Sequence, residues 1–78
     1  MCLGIPGKII WTDKMSARVD IMGIENTVNI QLIESPQIGE YILIHAGCAI
    51  QKINSEHFEF LQGVLIELLE KEKNHESK

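Results

Sequence analysis

The chain has 78 residues, with 11 acidic side chains against 7 basic ones, a formal net charge of −4 and two cysteines. A chain this short makes one domain and buries only about 60 % of its unfolded surface, which leaves no room for a separate catalytic domain. The negative balance opposes sequence-independent binding to phosphate backbones, no apolar run reaches the roughly 18 residues of a membrane span, and the opening residues lack the basic and long apolar regions of a secretory signal. A cytoplasmic protein with reduced thiols is therefore expected, bound neither to nucleic acid nor to membrane.

After the stiff opening MCLGIPGK, the run Lys8-Ile9-Ile10-Trp11-Thr12 is rich in β-branched and aromatic residues, and Ser16 to Met22 alternates polar with apolar; both predict strands. Met22-Gly23-Ile24-Glu25 reads as a turn. A third strand over Asn26 to Leu32, with Val28, Ile30 and Leu32 on one face, pairs with the second as a hairpin. Pro36 and Gly39 mark a loop before a fourth strand, Tyr41 to His45. Ala46-Gly47 is a bend or bulge, and Cys48 to Ile53 continues as a fifth strand. Five short strands at this spacing predict a mainly β domain closed into a small barrel, since closure removes exposed edges.

From Asn54-Ser55 the period changes. Either residue can cap a helix, and Phe58, Leu61, Val64, Leu65, Leu68 and Leu69 recur at three and four residues, predicting a C-terminal helix over 56–73 that supplies much of the core. Gly63 inside it costs about 1 kcal/mol relative to alanine, an expense that close packing against a neighbouring backbone offsets. Residues 74–78 are expected to be a disordered charged tail, so that the domain proper is 1–73.

The thiols and imidazoles are the candidates for chemistry. His45-x-x-Cys48 has a metal-ligand spacing, but on a continuous strand the two side chains lie on opposite faces unless the Ala46-Gly47 bend realigns them. Cys48, between apolar neighbours, reads as a small buried hydrophobe. For His45 a structural role and a ligand role stand level. His57 falls in the first turn of the helix, where the dipole disfavours an imidazolium, and faces solvent. Cys2 is different: a chain end has few neighbours to bury a thiol, so a functional thiolate, nucleophile or soft metal ligand, is the better reading. If Met1 is removed, the α-ammonium beside Cys2 favours the thiolate further. No nucleophile-base-orienter set accompanies it, which argues against a small cysteine enzyme.

MCLGIPGKI, followed by GEYILIHAGCAIQKI, closely resembles the HypC/HupF/HybG family of hydrogenase maturation chaperones, with the likeness running from Met1 to about Leu69. The resemblance implies an OB-like β-barrel with a C-terminal helix and no enzyme activity of its own. It implies work on the iron centre of [NiFe] hydrogenase with a HypD-type scaffold, on an iron bearing cyanide and carbon monoxide, and delivery to the hydrogenase large-subunit precursor. It assigns metal contact to Cys2 and, through the H-x-G-x-A-I motif, to His45. Where many relatives carry an aromatic residue this chain has Cys48, so the resemblance gives Cys48 no family role and leaves a private third ligand as the alternative to the buried hydrophobe. The isolated protein is expected to be a monomer that shares its iron transiently with a partner. The alternative, an OB-like nucleic-acid or protein-binding module, would call for a basic groove and exposed aromatics, against one Trp, one Tyr and two Phe in a negative chain.

Overall fold

The computed structural model describes residues 4–76, with side chains through residue 70. Five strands, β1 (Ile5–Thr12), β2 (Ser16–Ile21), β3 (Ile24–Asn29), β4 (Tyr41–His45) and β5 (Cys48–Ile53), precede one helix, α1 (Ser55–Glu76). The strands close into a barrel in the order β1-β2-β3-β5-β4, with β1 paired to both β2 and β4. All ladders are antiparallel except β3 against β5, which meet in parallel at Asn29 and Cys48. This is the mainly β, closed five-stranded barrel with a C-terminal helix that the pattern predicts and that the resemblance implies as OB-like.

Alternation along the strands sends one face inward. Ile9, Ala17, Val19, Val28, Ile42, Ile44 and Ala49 meet inside with Ile30 and Ile33 from the following turn, and no polar side chain is buried among the described residues. None of the described side chains of α1 belongs to this core, contrary to the expectation from its apolar stripe. The barrel interior is filled by its own strands, and the helix lies outside against β1 and β4, where Phe58 stacks on Tyr41.

Several boundaries differ from the sequence reading. β2 stops at Ile21 and β3 already begins at Ile24, so Met22-Gly23 alone makes the turn and Ile24 and Glu25 belong to the hairpin ladder. β1 begins at Ile5 with Pro6 inside it, which is tolerated because β2 joins only from Lys8 onward and Pro6 has a single neighbour strand. β3 ends at Asn29 because the Asn29 side chain accepts a hydrogen bond from the Gln31 amide at 2.8 Å and turns the chain. The turn buries Ile30 at 2 % and leaves Leu32, expected on the same inner face, 70 % exposed. Helix α1 starts on an Asn54 cap, whose Oδ1 accepts from the His57 amide at 2.7 Å, and continues to Glu76 rather than to 73. Lys71, Glu72 and Lys73 are good helix formers, and no Gly or Pro stops them. Twenty-two residues of helix reach about 33 Å, far past the five residues of β4, which accounts for principal extents of 46 × 25 × 22 Å. Among the described residues no helix is long and apolar enough to cross a membrane.

Candidate functional site

Ala46 and Gly47 both have left-handed backbones, φ 53° and 78°, the signature of a two-residue hairpin loop. For Ala46 that conformation costs about 1–2 kcal/mol, whereas glycine takes it freely. The loop reverses the chain, so β4 and β5 are antiparallel neighbours with His45 directly opposite Cys48. Ile42, Ile44 and Ala49 point into the core; by alternation Tyr41, Leu43, His45 and Cys48 point outward. The bend therefore realigns the pair: His45 and Cys48 leave the sheet on the same face, not on opposite ones. His45 is exposed and Cys48 half-buried, so Cys48 is not the buried hydrophobe its neighbours suggest. The turn is anchored from a third strand, the Asn29 amide donating to the Gly47 carbonyl at 2.9 Å.

The start of the described chain comes to the same end of the barrel. In the β1–β4 ladder Ile5 pairs with Ile44 and Pro6 with Leu43, so the chain enters β1 beside His45. Gly4 runs so close to β4 that a Cβ there would stand 3.1 Å from Leu43 Cβ, an approach that tolerates only glycine without displacement. Cys2, the thiol singled out by the sequence, lies outside the described residues. Among the described residues no group of three or more His, Cys, Asp or Glu side chains could hold a metal ion.

His57 takes no part in this constellation. Helix α1 begins after Ile53, which pairs with Tyr41 at the opposite end of β4 from His45, and His57 is exposed there, as expected.

Two features escape the sequence reading. One is an apolar groove of about 140 Å³ between the start of β1 and α1, lined by Gly4, Ile5, Pro6, Leu61, Leu65 and Leu68 among others. Its helical half is signalled by the apolar stripe, but not the strand that faces it. The other is an open cleft of about 400 Å³ on the outer barrel wall at Ile10, Trp11, Arg18 and Glu25, where a bulge in β1 between Ile9 and Trp11 breaks the register; nothing in the sequence marks the bulge.

Over residues 1–65 the chain matches the family model described as the HupF/HypC family. It is 38 % identical over 60 residues to the hydrogenase maturation factor HypC of Escherichia coli K12, covering 69 % of this chain and 67 % of that protein. The HypC of Azotobacter chroococcum is 35 % identical over 69 residues, 87 % of this chain and 82 % of the relative. That of Cupriavidus necator is 33 % identical over 70 residues, 87 % and 77 % of the two chains. The family match takes in the chain start, the His45–Cys48 hairpin and the first half of α1, and stops at Leu65.

Proposed function

The chain belongs to the HupF/HypC family, and from that premise we propose that it is a chaperone of [NiFe] hydrogenase maturation that carries, on Cys2 and His45, the iron unit bearing cyanide and carbon monoxide. The observation that supports this reading best is the β1–β4 register, in which the chain enters β1 beside Ile44 and His45. Cys2 is three positions upstream of Ile5, a span of roughly 10 Å at most. A thiolate is the soft ligand an iron carbonyl fragment favours, and an imidazole on a rigid hairpin is a suitable second donor.

With so few donors the chaperone's hold on its cargo is incomplete, and that suits delivery. A HypD-type scaffold supplies the remaining ligands during assembly, and the hydrogenase large-subunit precursor then displaces the chaperone. This is a binding role without turnover. A working thiol needs a reducing compartment, for which we take the cytoplasm.

The test is infrared spectroscopy of the chain co-expressed and co-purified with its scaffold. Cyanide and carbonyl bands are expected in the wild-type complex and are expected to vanish in Cys2→Ala. Full-strength bands in a Cys2→Ala complex would overturn the assignment of the iron to Cys2.

A further inference from the structure

We infer that the groove between the start of β1 and α1, together with an acidic stripe of the helix beside it, is a docking site for a basic amphipathic helix of a partner protein. The inference is independent of the iron unit and uses neither Cys2 nor His45.

The groove is lined by apolar residues. Its strand wall is Gly4, Ile5 and Pro6, and its helix wall runs from Leu61 to Leu68. Ile5, Val64 and Leu68 stay exposed, and Phe60, one turn before Val64, extends the apolar surface beyond the groove. The barrel core is filled without any of them, and exposed apolar surface that the fold does not use marks a place of contact. From Leu61 to Leu68 the helix advances about 10 Å. Those two turns match the i, i+3 or i+4, i+7 anchors of an amphipathic helix laid in a groove.

Charge selects the occupant. Glu56, Glu59, Glu67 and Glu70 are all exposed, and their helical spacing puts them on one stripe of α1, adjoining Phe60 and Val64. The described side chains of α1 include no Lys or Arg, and Lys71 and Lys73 come after the groove. The ion pairs Arg18–Glu25 and Lys52–Glu40 lie on the barrel. Glu56, in the first turn, gains from the helix dipole. The others do not, and like charges three residues apart on a helix oppose it, so the stability of α1 does not account for the stripe. A second copy would bring its own acidic stripe to the groove, and an anionic lipid surface would be repelled. A partner helix with leucine-type anchors flanked by Lys or Arg satisfies groove and stripe together. Gly63, in the middle of the stripe, leaves room for its long side chains, because a Cβ there would meet nothing within 4 Å.

The experiment is an NMR titration of the isotope-labelled full chain with two synthetic helical peptides that share one leucine face, flanked by lysines in one and by glutamates in the other. The lysine peptide is expected to shift the amide signals of Ile5, Leu61, Val64 and Leu68 and to bind more weakly as salt is added. The glutamate peptide is expected not to bind. Two variants at exposed positions, each first checked for an unchanged melting curve, divide the site. Leu68→Ser is expected to weaken the lysine peptide about tenfold or more, and the double change Glu59→Gln with Glu67→Gln about two- to tenfold. The inference is overturned if the lysine peptide does not bind, if the two peptides bind equally, if the shifts fall on the Trp11 wall instead, or if both variants bind as wild type does. It is overturned equally by self-association in sedimentation that Leu68→Ser abolishes, which gives the groove to a second copy, or by cosedimentation with phosphatidylserine vesicles, which gives it to lipid.

Discussion

The ring of Phe58 stacks on that of Tyr41, centroids 4.2 Å and planes 27° apart, and so ties the first turn of α1 to the outer face of β4. Because none of the described side chains of the helix belongs to the barrel core, this stack and the groove beside Pro6 are contacts that hold it to the domain. Stacking of this kind contributes about 0.5–1.5 kcal/mol beyond burial, and the half-buried ring adds a comparable amount. Phe58→Ala should therefore lower stability by about 2 kcal/mol. Hydrogen exchange should show α1 losing protection while the amides of β1, β2 and β4 keep most of theirs. Equal loss in helix and strands would mean that barrel and helix unfold as one unit.

Gly63 has open space around it: a Cβ built there meets nothing within 4 Å. The close neighbour that the sequence reading invokes to offset this glycine is thus absent among the described residues. Gly63→Ala should raise stability by about 1 kcal/mol, the difference in helix propensity, measured as a shifted urea midpoint at unchanged slope. A loss of maturation in that more stable variant would indicate that a partner approaches the helix backbone at this point.

The location of the core separates two substitutions that look equivalent in sequence. Ile42 is fully buried inside the barrel, and Ile42→Ala should cost about 2–5 kcal/mol, enough to unfold so small a domain. Leu65 lines an open groove on the outside, and Leu65→Ala should cost only about 1 kcal/mol. Thermal melts of the two variants check the order, and a larger loss at Leu65 would relocate the core.

That contrast shows what is legible in the chain and why. Alternation in Ser16 to Ile21 and in Tyr41 to His45 reports a strand with one buried face, and the barrel follows from the number and spacing of such runs. The helical period at Phe58, Leu61 and Leu65 reports an apolar face but not what covers it, and here the covering is partial. Phe60, on the flank of that face, is 67 % exposed. The Asn29 turn that ejects Leu32 rests on hydrogen bonds between the Asn29 side chain and Gln31 and on the Ile33 amide bonded back to the Ile30 carbonyl, none of which any periodicity records. The motif singles out Cys2 and His45 as candidates. The His45–Cys48 pairing is not legible in it, because Ala-Gly lacks the Asn-Gly or Asp-Gly signal of a two-residue hairpin and passes for a bend in a single strand.

Replacing His45 distinguishes a ligand from a structural histidine. His45 lies at the last position of β4, exposed and outside the core. The hairpin below it is held by backbone contacts, with the Asn29 amide on the Gly47 carbonyl and the β4–β5 ladder. Truncating an exposed side chain there removes little buried area and at most one surface interaction, so His45→Ala should cost no more than about 1 kcal/mol. If His45 is a donor to the iron unit, maturation should nevertheless fall, and by less than in Cys2→Ala, because the thiolate anchors the cargo and the imidazole completes its orientation. A melting curve beside a hydrogenase activity assay, on His45→Ala, Cys2→Ala and wild type, reads both quantities. Unchanged melting with graded loss of activity, deepest at Cys2, supports the ligand role. A large drop in melting temperature for His45→Ala, with activity falling in proportion, would make His45 a structural residue of the hairpin and leave Cys2 as the proposed ligand.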